Sequence, residues 1–202
     1  MSHYFMPDSE LKPKSFSIQY AFKGKSYAFR SDTGVFSARK ADAATDLLLQ
    51  NLPALRGSLL DMGCVYGLIG IVLAKEYALT LTQADINPKA VDLARENAER
   101  NRVASKTVLS DCFEKVGGSF DTVIINPPIH AGKSVVYRMY DGARAHLNEG
   151  GVLYVVIQKK HGAESTVQKL RDTFGHCAVL YKKKGYYVLA CENPPHATEA
   201  PE

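Results

Sequence analysis

The chain has 202 residues, of which 46% are hydrophobic and 23% are charged, a balance typical of a globular domain. No apolar run approaches the roughly 20 residues that a bilayer-spanning helix needs, and residues 1–16 lack the apolar core of a secretory signal, so we expect a cytoplasmic protein with no membrane partner. The formal net charge of +4 permits a phosphate-bearing partner but falls well short of a dedicated nucleic-acid arm. The four cysteines are scattered without zinc-like spacing, which argues against a metal centre and predicts reduced, mostly buried thiols.

The first 45 residues predict a β-hairpin followed by a helix. Phe16–Phe22 and Lys25–Arg30 alternate in polarity and are rich in aromatic residues, with a glycine between them where a turn would fall. The following segment has helical periodicity, with Asp42 as its start and Pro53 as its end. Residues 1–45 are basic, with seven Lys and Arg residues against four Asp and Glu residues. The run Lys182–Lys184 near the other end of the chain is basic too.

From residue 57 onward, strands and helices alternate. The predicted strands are 58–62, 79–86, 107–110, 122–126 and 152–158, followed by two strands within 177–192; the predicted helices are 67–76, 88–101, 135–147 and 163–174. This alternation predicts an α/β fold with a mostly parallel sheet, helices on both faces and an antiparallel closing strand. We expect a single domain, in which residues 1–56 cover the site, 57–192 form the core and 193–202 form a tail.

A glycine-containing loop follows the first strand of the core. The segment LLDMGCVYGLIG places Gly63 and Gly67 after Asp61, and glycines at a strand-to-helix turn let the backbone approach a ligand closely. The spacing G-x-x-x-G disfavours a dinucleotide-binding dehydrogenase, and the absence of a following G-K-[ST] disfavours a P-loop. Asp61 would repel a pyrophosphate but suits a cationic ligand.

Two further acids follow the next two strands. Asp85 comes 24 residues after Asp61, at a position where a carboxylate accepts hydrogen bonds from both ribose hydroxyls of a nucleoside. Asp111 lies beside the same crevice, where it could accept a hydrogen bond from an adenine amine. The three carboxylates therefore predict a nucleoside ligand that is not anionic.

This combination resembles the class I S-adenosylmethionine-dependent methyltransferases, which implies their Rossmann-like fold with a seven-stranded sheet. The resemblance implies S-adenosylmethionine as cofactor, with the glycine loop at its amino acid end, the acid after the second strand at the ribose and the acid after the third strand at adenine. Val65 is a departure, since many members have a glycine there. The implied cofactor-binding residues are Asp61, Gly63, Cys64, Tyr66, Gly67, Asp85, Ile86, Asp111, Cys112 and Asn126.

The segment DTVIINPPIHAGK ends a buried strand on Asn126, Pro127 and Pro128. In such a fold this strand ends over the reactive methyl group. The side-chain oxygen of Asn126 and a main-chain oxygen beside it can accept hydrogen bonds from a conjugated amine and free its lone pair, while the prolines add no competing N–H and fix the backbone. The motif therefore predicts amine methylation without a metal.

The residues after Asn-Pro-Pro indicate which amine is methylated. Adenine-N6 and protein-glutamine enzymes usually have an aromatic residue where this chain has Ile129. The segment NPPIHAGK resembles the corresponding loop of guanine-N2 methyltransferases of small-subunit rRNA, and HYF (residues 3–5) and DTGVFS (residues 32–37) match that family too. The resemblance implies substrate contacts for Phe36, Ser37, Ile129 and His130, with His130 either orienting the base or contacting an RNA phosphate.

We therefore expect an S-adenosylmethionine-dependent enzyme that methylates guanine N2 of small-subunit rRNA and has rRNA or the small ribosomal subunit as its partner. Asn126, Pro127, Pro128 and His130 are the candidate catalytic residues. Two alternatives remain open: methylation of protein glutamine N5, which uses the same Asn-Pro-Pro logic, and a non-catalytic module that only binds the cofactor.

Overall fold

The fold is that of a computed structural model, which describes residues 14–35 and 41–195. The predictions made for residues 3–5, Phe36 and Ser37 lie outside the described residues. None of the described helices is long and apolar enough to cross a membrane.

The strands and helices alternate as predicted from residue 57 onward. The strands are β1 (Ser15–Phe22), β2 (Lys25–Asp32), β3 (Ser58–Met62), β4 (Thr80–Asp85), β5 (Ser105–Leu109), β6 (Phe120–Ile125), β7 (Leu147–Gln158), β8 (Ala178–Lys183) and β9 (Tyr186–Glu192). The α-helices are α1 (Ala43–Asn51), α2 (Leu68–Tyr77), α3 (Pro88–Arg100), α4 (Lys133–Ala145) and α5 (Ala163–Phe174). Two short 3-10 helices, Ile129–Ala131 and Lys159–His161, follow β6 and β7.

Seven of these strands form one sheet in the order β5-β4-β3-β6-β7-β9-β8. Strands β3 to β7 are parallel, and β9 is inserted antiparallel between β7 and β8. The predicted fold class, with its antiparallel closing strand, is confirmed. Because the five parallel strands point the same way, the loops that follow them meet at one edge of the sheet, which we call the carboxyl edge.

Apolar side chains bury both faces of this sheet. One core cluster joins the β1–β2 hairpin, α1, α2 and α3 to the first face, and the other joins α4 and α5 to the second. Three of the four cysteines are buried in the described structure and all four are free thiols, as the sequence predicts. The described residues therefore form a three-layer sandwich, with the sheet between two layers of helices and the hairpin packed on one side.

Two asparagines of the α3 segment hold the hairpin. The Asn97 carboxamide accepts from the backbone N–H of Arg30 at 2.7 Å and donates to its carbonyl at 2.8 Å, and Asn101 pairs in the same way with Ala28. The two side chains lie one helical turn apart and match alternate residues of β2, so they replace the neighbouring strand that the hairpin edge lacks. Asn97 also donates to the carbonyl of Tyr66 in the glycine loop at 2.8 Å.

The basic residues of the hairpin turn lie away from the carboxyl edge. Lys23 donates to the hydroxyl of Tyr77 at 2.6 Å, and Lys25 forms an ion pair with Glu76 at 2.8 Å. Glu76 and Tyr77 end α2, which places both lysines at the opposite edge of the sheet. The hairpin turn therefore adds no cations to the rim of the open edge.

The chain after β9 is better fixed at its start than the expected tail. Asn193 is buried, and its side chain donates to the carbonyls of Leu147 and Asn148. Its backbone N–H donates to the carbonyl of Gly151 at 2.7 Å, and its carbonyl accepts from Gly150 at 2.8 Å. This pairing extends the contact between β7 and β9 to the first residue of the segment that we expect to form the tail.

Candidate active site

The glycine loop between β3 and α2 is tied to the end of β4. The backbone N–H groups of Gly63 and Cys64 both donate to the carbonyl of Ala84, at 2.8 and 3.1 Å. Gly63 and Val65 have left-handed backbone conformations, with φ of 77° and 55°. Val65 thus adopts a left-handed conformation with a β-branched side chain, at the energetic cost that such a residue carries there.

Gly67 and Gly70 are required by packing. A Cβ at Gly67 would lie 2.6 Å from the side chain of Gln83, and one at Gly70 would lie 2.8 Å from Leu81 and 3.0 Å from Asp61. Both glycines let α2 approach the sheet closely. Gly67 therefore acts on the loop by allowing the start of α2 to pack closely against the sheet. Gly63 is less tightly packed, because a Cβ there would make only an ordinary van der Waals contact with the side chain of Met139, at 3.7 Å.

Asp61 lies beneath the loop. Its side chain is 2% exposed, and its Oδ2 accepts from the backbone N–H of Gly70 at 2.9 Å inside the first turn of α2. Burial raises the pKa of Asp61 to about 7, opposed by this hydrogen bond. The carboxyl group of Asp61 is directed to the helix start and is closed off from solvent, and its contact with the cofactor stays a prediction.

Asp85 ends β4 and is held on both sides by backbone groups. One carboxylate oxygen accepts from Val65 at 3.0 Å and the other from Asn87 at 2.9 Å. Burial raises the pKa of Asp85, while the backbone hydrogen bonds from Asn87 and Val65 lower it. The carboxylate is thus fixed between the glycine loop and the start of α3, and each oxygen keeps a further lone pair for a ligand.

Asp111, the third acid, forms an ion pair. Asp111 follows β5, and its two oxygens accept from Arg138 of α4 at 2.9 and 3.2 Å. Close to the two acids, Ile86 and Leu109 expose 38% and 45% of their surface. These apolar side chains suit the faces of a planar base, and Cys112 follows Asp111 in a left-handed conformation with φ of 47°.

Asn126 follows the last residue of β6 at the centre of the carboxyl edge. Its Nδ2 donates to Oδ2 of Asp42 at 3.3 Å. Asp42 begins α1, where its Oδ1 accepts from the backbone N–H of Thr45 at 2.8 Å. Asn126 and Asp42 are 84 positions apart in the chain, so the sequence pattern that identified Asp42 as a helix start could not show this second contact.

A cleft separates the glycine loop from Asn126. The residues that line it come from the start of α1, from the loop and from the first turn of α2: Asp42, Thr45, Gly63, Cys64, Val65, Tyr66, Leu68, Ile69 and Asn126. Cys64 and Tyr66 are 5% and 4% exposed, so the sides of the cleft that they form are made by core residues. The predicted cofactor loop and the predicted catalytic asparagine thus share one cleft.

The residues after Asn126 leave the sheet in a short 3-10 turn. Pro127 and Pro128 precede the helix Ile129–Ala131, and Gly132, with φ of 95°, lets the chain turn into α4. The rings of His130 and His161 lie edge-on with their centroids 6.5 Å apart. Ile129 and His130 thus lie on the side of Asn126 that faces the loop after β7.

The tripeptide Asn-Pro-Pro occurs a second time, at residues 193–195, with a different structural role. Asn193 follows the antiparallel strand β9, so it lies at the opposite edge of the sheet from Asn126. Its side-chain amide donates to backbone carbonyls of the protein itself. Position in the sheet, and not the tripeptide alone, distinguishes the candidate site.

The fold and the site define the class of protein. A methyltransferase from Pyrococcus furiosus has the same fold, with a TM-score of 0.63, 21% identity and coverage of 74% of this chain and 81% of that one. Residues 26–190 match the family described as the methyltransferase small domain. The chain belongs to this family, whose methyl donor is S-adenosylmethionine.

Individual relatives add detail. The chain is 38% identical to an uncharacterized protein, YbxB, of Bacillus subtilis over 93% of this chain and 96% of that protein. It is 33% identical to the ribosomal RNA small subunit methyltransferase C of Haemophilus influenzae over 79% of this chain and 49% of the relative. A solved T. thermophilus 16S rRNA N2 methyltransferase in complex with AdoMet and guanosine superimposes with a TM-score of 0.79 at 28% identity, over 93% of this chain and 52% of that one. The chain therefore spans about half the length of these two rRNA methyltransferases.

The residues present fit S-adenosylmethionine. A Cβ at Gly63 would meet no atom closer than 3.7 Å, the Asp85 carboxylate is fixed with lone pairs available, and the exposed aliphatic side chains of Ile86 and Leu109 lie at the ends of β4 and β5. The described residues contain no group of three or more metal-ligating side chains.

Proposed function

We propose that this protein transfers a methyl group from S-adenosylmethionine to the exocyclic N2 amine of a guanine in small-subunit rRNA. The observation that carries the proposal is the Asn126 carboxamide, which lies in the same cleft as the glycine loop and is held from behind by Asp42. The relatives named as rRNA methyltransferases, and the guanosine in one solved neighbour, support guanine as the base. An rRNA substrate would place the protein in the cytoplasm.

Asp42 sets which end of the Asn126 amide faces the substrate. A carboxylate only accepts hydrogen bonds, so the group that Asn126 presents to it must be its NH2. The other end of the amide, Oδ1, is then directed away from Asp42 as an acceptor. A guanine amine is a donor, so this orientation is the productive one, and it is established before the substrate arrives.

The exocyclic amine of guanine is a poor nucleophile because its lone pair is delocalised into the ring. Two acceptors, Oδ1 of Asn126 and the main-chain oxygen beside it, would hold the two N–H groups and favour a pyramidal nitrogen. Pro127 and Pro128 offer no competing N–H donors and limit backbone motion. When bound, S-adenosylmethionine supplies an electrophilic methyl group. The nitrogen gains the methyl group and loses one proton to water, so no protein base is required.

The remaining predicted residues divide into contact and support roles. Ile129 would pack on the guanine and His130 would orient the base or contact a phosphate, while Phe36 and Ser37 would close over the substrate. On the cofactor side, Gly63, Cys64 and Tyr66 would line the amino acid end.

The nucleoside end of the cofactor would meet the second and third acids. Asp85 would bind the ribose, with Ile86 and Cys112 flanking the adenine. Asp111 would meet the adenine amine with a carboxylate already neutralised by Arg138. Asp61 and Gly67 would act by holding α2 and the loop in place.

Transfer of a labelled methyl group tests the proposal. The protein is incubated with tritiated S-adenosylmethionine and either naked small-subunit rRNA, assembled small subunits or release factors, and the label is followed. We expect label in rRNA, at guanine N2 after nucleoside analysis. Label in protein alone would sink the proposal and favour glutamine methylation. Cofactor binding without any transfer would favour a non-catalytic module.

Replacing Asn126 isolates its role. Asn126→Ala removes the side-chain acceptor, so we expect kcat to fall about 100-fold or more, while the Kd for S-adenosylmethionine stays within a few-fold. The chain supplies a matched control in Asn193→Ala, which alters the second Asn-Pro-Pro. That variant should lower the melting temperature, because it removes buried hydrogen bonds to two carbonyls, and leave kcat nearly unchanged. Equal loss of affinity and turnover in Asn126→Ala would mean that Asn126 mainly supports the cofactor.

A further inference from the structure

A cavity of about 300 Å³ lies beyond the Asn-Pro-Pro segment, and it shares no lining residue with the cleft at Asn126. It is a partly open pocket bordered by α4, by the start of α5 and by the 3-10 helix Lys159–His161 that follows β7. We call it the flanking pocket and define it by Ile129, Val136, Tyr137, Ile157, His161 and Thr166. The cofactor side of the proposed reaction makes no use of it.

The flanking pocket opens on the same edge of the sheet as the site. Strands β6 and β7 are adjacent and parallel, and the pocket lies between the two segments that follow them. Ile129 lies three residues after Asn126, so the main chain between them spans at most about 11 Å. The ring of His161, which lines the pocket, lies edge-on to the ring of His130 in the segment that follows Asn126.

The lining of the pocket suits a nucleobase. Buried aliphatic side chains, Val136 and Ile157, form its inner part, and Tyr137 and His161 contribute aromatic surface. The hydroxyl of Ser165 donates to the carbonyl of Gly162 at 3.0 Å and keeps an acceptor lone pair for a base edge. A base has apolar faces and a polar edge, and the volume is at the lower end of the range for small-molecule sites, which fits one base with its sugar.

The surroundings of the pocket suit a phosphate backbone. Lys133 is exposed at the mouth, with its Nζ 5.3 Å from the centre of the Tyr137 ring, and Lys159 and Lys160 are exposed on the neighbouring 3-10 helix. The backbone N–H of Lys159 donates to the carbonyl of Gly185 at 2.8 Å, which brings the turn after Lys182–Lys184 to the same place. In the described part of the chain, none of these lysines forms an ion pair, although the exposed Glu164 starts α5 nearby.

We propose that the flanking pocket binds the nucleotide next to the target guanosine of the RNA substrate, with its base in the pocket and its phosphate at Lys133. The proposal rests on the proposed function and adds to it a second point of contact. It gives the enzyme a way to hold the RNA strand in register while the target base is at Asn126, so the pocket contributes to substrate affinity and not to the methyl-transfer step.

Two variants separate the base contact from the phosphate contact. His161→Ala removes aromatic surface from the pocket, and Lys133→Ala removes the cation at its mouth. For each we expect the KM for naked small-subunit rRNA to rise about ten-fold, with kcat and the Kd for S-adenosylmethionine unchanged. Lys133→Ala should also lower the slope of log affinity against log salt by about one, whereas His161→Ala should leave that slope unchanged. Lys106→Ala, on the edge strand β5, is the matched control and should change neither.

The outcomes distinguish this proposal from the function on which it rests. Wild-type methylation of rRNA with unchanged KM in both variants would overturn the flanking pocket and leave the proposed function standing. Normal KM for naked rRNA but loss of activity on assembled subunits would identify a ribosomal protein as the occupant, and would also overturn it. Failure of the wild-type protein to methylate or bind rRNA would overturn both proposals. Direct binding to rRNA, measured without turnover, should show the same ten-fold weakening in both variants.

Discussion

The carboxamide of Asn126 has a donor end and an acceptor end, and its contact with Asp42 decides which end faces the cleft. The Oδ1 of Asp42 accepts from the backbone N–H of Thr45 to begin α1, and its Oδ2 accepts from both Asn126 and the hydroxyl of Thr45. The same carboxylate therefore fixes the position of a helix and the orientation of a neighbouring amide. An asparagine at position 42 would still begin the helix, because Asn is as good an N-cap as Asp.

Asp42→Asn should therefore uncouple the two roles. The Oδ1 of the new asparagine would serve the helix start, so its NH2 would face Asn126 and favour a turned Asn126 amide with NH2 toward the substrate. We expect kcat to fall about 10- to 100-fold, the magnitude of one lost hydrogen bond to a charged group. The Kd for S-adenosylmethionine and the melting temperature should change little.

Asp46→Asn is the control for charge, since it removes an equal charge from the first turn of the same helix. It should retain activity. A double variant with Asn126→Ala completes the test, because Asp42→Asn should have no further effect on kcat once the amide is gone. A full additional loss in that background would show that Asp42 acts on something other than Asn126.

Asp61 makes stability depend on pH in an unusual direction. Its folded-state pKa of about 7 lies above the value of about 3.9 for an exposed aspartate, so the folded protein holds a proton that the unfolded chain releases. Its contribution to stability is present below about pH 4 and is lost as the pH rises to about 7.

Asp61→Asn should remove this dependence while keeping an acceptor for Gly70. We expect the free energy of unfolding of the variant, relative to wild type, to rise between pH 4 and pH 7 by on the order of 2–4 kcal/mol. Urea unfolding without added ligand at several pH values measures it. Asp121→Asn is the contrasting control, because hydrogen bonds from Ser58 and Asn148 lower the pKa of Asp121. Its stabilising contribution is therefore lost only below about pH 4, and the substitution should change the pH dependence of the free energy of unfolding only there. Parallel curves for wild type and Asp61→Asn would contradict the assignment.

At the scale of elements, α3 links the hairpin to the glycine loop through hydrogen bonds. Asn97 is fully buried and bonds to both, whereas Asn101 bonds to the hairpin and to α3. The two asparagines therefore offer a comparison in which the hairpin is disturbed in both variants and the loop in only one.

Asn97→Ala and Asn101→Ala should both lower the free energy of unfolding, by about 2–4 kcal/mol each, because buried backbone groups of β2 lose their partners. Only Asn97→Ala frees the carbonyl of Tyr66, so we expect it alone to weaken S-adenosylmethionine binding several-fold. Calorimetric titration at a temperature where both variants are folded measures the difference. Equal affinities in the two variants would show that the loop is held without Asn97.

The local signals of the sequence predict much of this architecture. Asn87 and Pro88 start α3 as predicted, because an N-cap followed by proline is a signal carried by adjacent residues. The predicted helix ending at Leu147 was wrong at its end: α4 stops at Ala145, and Leu147 instead begins β7 by pairing with Phe120 of β6. That pairing joins residues distant in the chain, so periodicity could not reveal it.

The site shows the same limit. The order of the glycine loop, Asp85 and Asn-Pro-Pro predicts which strand ends meet, since the carboxyl ends of parallel strands share an edge. The direction of each side chain depends on partners elsewhere in the chain: Asp61 turns under the loop to Gly70, and Asp111 binds Arg138, which lies 27 residues further on. Sequence reasoning likewise missed Asn97, whose carboxamide looks like an ordinary polar helix residue until the hairpin is docked on it.

At the scale of the whole molecule, the positive charge is unevenly distributed. At the edge away from the site, Lys25 is neutralised by Glu76 and Lys23 is held by Tyr77. Beside the flanking pocket, Lys133, Lys159 and Lys160 form no ion pair within the described residues, and the Lys182–Lys184 turn adjoins them. The small net charge of +4 therefore understates the local field at one corner of the carboxyl edge.

This asymmetry has a kinetic consequence. The cluster of lysines without ion pairs attracts a polyanion, so diffusional encounters are biased toward collisions in which this corner of the carboxyl edge meets the RNA first. The bias acts on the association rate and is screened within about 10 Å at about 0.1 M salt, whereas contacts inside the pocket act on the rate of dissociation. The uneven lysines would thus orient the protein during its approach, before any base is recognised.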